Sequence, residues 1–163
     1  MLGAMNKMLW MSLVMLALVA CQSAGTGSGK VRGTQKPVAF TWQAEDSDSG
    51  DITATFGNGR VFKGKYVQIT DSTKAEELDV LWDGWGDSKG NSGWRHWSRG
   101  PDREFWKVYD GRVLANLHAA DGESMRCKFA LNSEQRGMAG GGSGRCQVSD
   151  SGKEISAQFR RQS

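Results

Sequence analysis

The sequence predicts an all-β domain, a small antiparallel barrel or sandwich of about seven to eight strands with one disulfide and little helix. Three observations predict it. Apolar residues recur at every second position in short runs, the period of a half-buried strand. Glycine-containing turns separate those runs, and the chain holds 22 glycines against two prolines, as a fold with many tight turns would. Two cysteines, Cys127 and Cys146, fall on inward positions of two such runs. With 38% hydrophobic and 24% charged residues over 163 positions, the composition is that of one folded domain rather than a disordered chain.

The runs can be taken in order. Val38, Phe40 and Trp42 share one parity. Ile52, Ala54 and Phe56 share the next face, with Thr53 and Thr55 on the other. Gly57-Asn58-Gly59-Arg60 is a turn from which Val61–Ile69 runs back. Ser72–Leu81 is the one helical candidate, with Ser72 ahead of Lys74-Ala75-Glu76-Glu77-Leu78, and it passes into a strand near Trp82. Glu104–Tyr109, Asp110-Gly111 and Arg112–His118 form a hairpin signature, because Asp-Gly supplies the positive φ that a type I′ turn requires. Met125, Cys127, Phe129 and Leu131 oppose Arg126 and Lys128, and Cys146 and Val148 alternate with Arg145 and Gln147. After the turn at Asp150-Ser151-Gly152, Ile155, Ala157 and Phe159 alternate with Glu154, Ser156 and Gln158. The stretch Gly50–Phe62 echoes Gly144–Ile155 as strand, glycine turn, basic residue, strand; a duplicated hairpin and shared hairpin chemistry are the two readings, the second the simpler.

Ahead of these runs lie two segments of different composition. Residues 1–20 carry Lys7 and then an apolar run from Met8 to Ala20. A helix of that length spans about 20 Å, short of a ~30 Å hydrocarbon core, so a cleaved signal peptide fits better than a membrane span. The run ends in Leu18-Val19-Ala20-Cys21, which resembles the lipobox of bacterial lipoproteins at all four positions. The resemblance implies cleavage before Cys21, covalent diacylglycerol and an acyl chain on its thiol, and no other cofactor. Gln22, where lipoproteins retained in the inner membrane carry Asp, implies the outer membrane of a Gram-negative bacterium, with the domain in the periplasm. Residues 21–36 are rich in glycine and serine, with Val31 the only sizeable apolar side chain, and are expected to be a flexible tether. The β domain is then 37–163. The net charge is +3, and without Lys7 the balance is 20 basic against 18 acidic residues, or +2. That is too small to imply a nucleic-acid partner.

With Cys21 acylated, Cys127 and Cys146 remain as a pair in an oxidising compartment, and a disulfide is expected. Neither cysteine has a sequence-adjacent histidine or a Cys-x-x-Cys partner, and two cysteines at this spacing are too few for zinc. The segment from Met125 through the glycine-rich Gly137–Gly144 and on to Phe159 is similar to a C-terminal pattern in small proteobacterial lipoproteins of unknown function. That likeness implies the disulfide and the β reading, and no activity.

Trp82, Trp85, Trp94 and Trp97 lie close together in a stretch interleaved with glycine and serine. Large aromatics in such loops have three readings. They pack over an open end of the domain, they anchor a protein partner, or with Arg95, His96 and Arg99 they stack on and bind a glycan such as peptidoglycan. The acidic loop Glu45–Asp51 lacks the glutamate that a helix-loop-helix calcium site needs, since position 57 is Gly57. No nucleophile elbow, phosphate loop or metal-ligand motif occurs. The sequence thus leads to a membrane-anchored, non-catalytic envelope lipoprotein that binds another envelope protein, with a peptidoglycan-binding module as the rival and a hydrolase as the third reading.

Overall fold

In a computed structural model, residues 22–85, 94, 96, 97 and 100–163 are described. Eight strands form a closed barrel in which each pairs antiparallel with its sequence neighbours: β1 (Ala24–Val31), β2 (Pro37–Ala44), β3 (Ser49–Phe56), β4 (Val61–Gln68), β5 (Arg112–Ala119), β6 (Ser124–Leu131), β7 (Gly142–Val148) and β8 (Glu154–Phe159). β1 also pairs with β8, with Gly27 opposite Phe159 and Val31 opposite Ile155, which removes every exposed sheet edge. The alternation read from the sequence sets the inside. Val38, Phe40, Trp42, Ile52, Ala54, Phe62, Met125, Phe129, Ile155 and Phe159 all belong to one lumenal core. The lumen is filled with side chains, as a barrel of eight strands permits.

The disulfide Cys127–Cys146 is present, joining directly opposed residues of β6 and β7 within that core.

Three expectations are corrected. Of the expected tether 21–36, Ala24–Val31 is a full strand, so the domain includes residues that composition assigned to a linker. The reason lies in its neighbours. Gly25, Gly27 and Gly29 face inward, where a Cβ at Gly25 would stand 2.7 Å from the Trp42 indole and one at Gly27 would stand 2.6 Å from the Phe159 ring. The glycines leave room for aromatics contributed by other strands, and a strand whose inward positions are glycines carries no periodic signal.

The second correction concerns Glu104–Tyr109, expected to be a strand. Arg103–Tyr109 is a helix (α1) instead. Asp102 caps it by accepting from the Phe105 amide at 2.8 Å. Phe105 and Tyr109, four apart, form its buried stripe. Asp110-Gly111 therefore turns a helix into β5 rather than closing a hairpin, and Gly111 does take a positive φ of 69°. The helical candidate at Ser72–Leu81 becomes a 3-10 helix over Ala75–Leu81. It leads to a turn at Trp82, not a strand. Two short 3-10 turns over Glu134–Gly140, broken at Gly137 (φ 53°), join β6 to β7.

Candidate functional site

The other chain connections are shorter, but the one between β4 and β5 runs from Ile69 to Gly111 and folds back over the barrel wall. Its described residues form a second core with outward side chains of the sheet: Leu78, Leu81, Trp94, Trp97, Phe105 and Tyr109 pack with Val67 and Leu114. This cover decides the fate of the tryptophans. Trp94 and Trp97 are wholly buried and Trp85 is nearly so, while Trp82 is half-buried. Their rings meet each other and α1 edge-on: Trp94 and Trp97 lie 5.7 Å apart between centroids, and Trp97 and Tyr109 6.1 Å. The indole N–H of Trp82 donates to the Trp97 carbonyl at 2.6 Å, and that of Trp97 to the Leu81 carbonyl at 3.1 Å. Of the three readings open to these indoles, packing over the domain is the one that the burial of Trp85, Trp94 and Trp97 matches. His96 is half-buried. Arg95 and Arg99 of the same expected site lie outside the described residues, as do Cys21 and the leader before it.

Three polar residues on the outer wall hold the cover down. Asn116 of β5, buried, accepts from Trp85 Nε1 at 2.8 Å and donates from Nδ2 to the carbonyls of Val80 and Asp83 at 3.0 and 2.7 Å. These three bonds all lead into the cover. His118 Nδ1 lies 3.0 Å from Ser124 Oγ, and its Nε2 lies 3.6 Å from an Asp83 carboxylate oxygen. Ser, His and Asp are the residue types of a nucleophilic triad. Here Ser124 is only 1% exposed, and Gly84 (φ 76°) presses so close that a Cβ there would meet Ser124 Oγ at 2.6 Å. In this arrangement the hydroxyl is shielded from solvent. The Asp83 side chain is 80% exposed, so its 3.6 Å approach to His118 is a weak tie between the layers.

Arg126 of β6 is the most unusual group in the interface. It is 2% exposed, yet among the described residues no carboxylate pairs with it. Its guanidinium lies between the Trp85 and Trp94 rings, 4.3 and 4.8 Å from their centroids, and donates from Nη2 to Gln147 Oε1 at 2.8 Å. Burial draws its pKa down to about 10, so it stays charged at neutral pH and depends on the ring faces for compensation. Neither Asn116 nor Arg126 was singled out from the sequence. Arg126 was assigned to the outward face of its strand, and outward suggests solvent unless something covers it.

The acidic loop is a self-capped turn. Asp46 accepts from the amides of Asp48 and Ser49 at 2.9 and 2.6 Å, and Lys65 pairs with Glu45 and Asp51.

No family model matches the chain, and no curated protein does. Among solved structures it is similar to a redesigned β-barrel, mFAP1, bound to DFHBI, at 13% identity and a TM-score of 0.46 over 85% of this chain and 93% of that one. It is similar too to a de novo designed fluorescence-activating β-barrel, at 13% identity and a TM-score of 0.46 over 86% of this chain and 92% of that one.

Proposed function

We propose that the chain is a lipid-anchored, non-catalytic envelope lipoprotein of a Gram-negative outer membrane, its barrel in the periplasm, that docks another envelope protein through the cover over β4–β6. The anchor reading is supported by Leu18-Val19-Ala20-Cys21. The polarity of the barrel supports a domain that stands beside the membrane. Outward positions of β1–β4 include Lys30, Thr41, Gln43, Asp51 and Lys63, where a lipid-spanning barrel would carry an apolar band.

One observation carries the docking reading. Val80 and Val108, at 44% and 36%, are the large apolar residues exposed among those described, and both sit on the cover. Half-buried Trp82 and Trp106 lie on the same segment. With the lumen filled, contact with a partner is left to the exterior, and aromatic and aliphatic side chains on a rigid support are what protein interfaces use. A photocrosslinking residue at Val80 or Val108 is expected to trap one discrete envelope protein in intact cells, and the same residue at Thr41, on the far side of the barrel, to trap none. Equal labelling from Val108 and Thr41 would reject the cover as the docking face. In parallel, Cys21→Ser is expected to abolish labelling by a fatty-acid probe and release the protein from the outer membrane fraction.

A further inference from the structure

Below the cover, on the outer wall of β5, β6 and β7, lies a groove of about 370 Å³ beside the C-terminal end of α1. Its floor is small: Ala130, Ser143 and Gly144. Its walls are Arg112, Lys128 and Arg145, one cation from each of three consecutive strands. Lys128 and Arg145 are direct cross-strand partners, an arrangement that costs stability because like charges oppose one another. Arg112 stands one step diagonally away, opposite Ala130. Among the described residues neither Arg112 nor Arg145 has a carboxylate partner, and the nearby Glu154 is bound to Arg32 at 2.7 Å.

The position of the groove matters as much as its charge. In an up-and-down barrel the odd strands start, and the even strands end, at one rim. Arg112 opens β5, Ala130 is next to last in β6 and Ser143 is second in β7. These residues therefore share the rim from which β1 sets out at Ala24. Ala24 is the third residue after Cys21. At the strand rise that is about 10 Å of chain. A lipid on Cys21 would hold this rim against the headgroup layer.

We propose that the groove of Arg112, Lys128 and Arg145 binds the phosphate of an anionic phospholipid headgroup in the membrane that carries the anchor. The proposal rests on the lipid-anchor reading for its choice of ligand and not for the site itself. Two guanidinium forks and an ammonium around a small-residue floor suit a tetrahedral oxyanion, which offers acceptors in several directions. Lys128 responds to the same crowding: burial lowers its pKa to about 8, and Arg145, Arg112 and Arg126 add to the effect, with Glu154 opposing. The Tyr109 and Trp94 rings also face its ammonium. A bound anion favours the charged form, so affinity is expected to fall as pH rises through 8, and Lys128→Met to remove that dependence.

The test uses the full chain in neutral detergent, following the backbone amides of Ser143, Gly144 and Arg145 by NMR. Dihexanoyl phosphatidylglycerol is expected to give saturable shifts at about tenfold lower concentration than dihexanoyl phosphatidylcholine, and R112Q/R145Q to weaken that binding about tenfold or more. Relief of repulsion should leave the variant's thermal midpoint unchanged or raised, which separates lost binding from lost fold. Inorganic phosphate that binds while the two lipids are indistinguishable overturns the headgroup assignment. Absence of any saturable shift overturns the site. The mass of the same preparation reports whether Cys21 carries lipid; groove binding without that lipid would sink the anchor alone.

Discussion

At the scale of single residues, the cover depends on polar groups that would ordinarily be a liability. Asn116 is buried on a barrel wall where an apolar residue would be the simple choice, and three of its hydrogen bonds hold Trp85, Val80 and Asp83 in place. Removing it leaves a buried indole N–H and two part-buried carbonyls without their partner. Asn116→Ala is therefore expected to cost about 2–3 kcal/mol. The loss should localise: amide exchange in residues 78–85 should rise by more than in β1–β3, and tryptophan emission should shift to the red. Uniform exchange changes across the barrel would show that Asn116 does not act through the cover. Arg126 belongs to the same logic, a charge held inside by two indole faces and one amide oxygen.

At the scale of elements, β1 is the instructive case. Three of its eight residues are glycines that face the lumen. Their role is spatial rather than conformational, since a Cβ at Gly27 would lie 2.6 Å from the Phe159 ring and 2.9 Å from the Gln158 carbonyl. Phe159 in turn packs edge-on against Phe40 and Phe129, at 5.7 and 4.9 Å. A larger residue would have to displace a ring already fixed from two sides. Gly27→Val is expected to destabilise by about 3 kcal/mol in chemical denaturation. The outward Ser28→Val on the same strand is expected to change stability by less than about 0.5 kcal/mol. Equal effects at the two positions would contradict the inward assignment.

At the scale of the whole molecule, closure is achieved by pairing the first strand with the last, and the disulfide reinforces the side that lies across the barrel from β2–β3. Cys127 and Cys146 are 19 apart in sequence and directly opposed in register. A cross-link over that loop contributes roughly 3 kcal/mol in the chain-entropy model. The double variant Cys127→Ala, Cys146→Ala is expected to lose about that much, seen as a lower denaturation midpoint with a slope at least as steep, since the freed unfolded chain can expand. An unchanged midpoint would contradict that contribution.

Period-two alternation made β2, β3, β6, β7 and β8 legible, since each places apolar side chains on one face, the turn at Gly57–Arg60 located β4, and the expected pairing of Cys127 with Cys146 was legible too. β1 was not, because its inward side chains are absent and the apolar mass they admit belongs to β2 and β8. α1 was missed because Asp110-Gly111 suits a hairpin and a helix end alike; packing of Phe105 and Tyr109 on the barrel wall chose between them. The tryptophans stood out in the sequence as a cluster, but their environment did not. Of the readings open to a loop aromatic, packing over the domain is the one the fold adopts for Trp85, Trp94 and Trp97, with the barrel's side wall rather than an open end beneath them. The basic groove was legible only as alternate charges on separate strands. By itself, then, the sequence determined the β architecture and the disulfide, which rest on local periodicity and on counting. Closure through β1, burial of the indoles and convergence of Arg112, Lys128 and Arg145 were decided by tertiary structure, because each depends on which strands become neighbours, and that is a non-local fact.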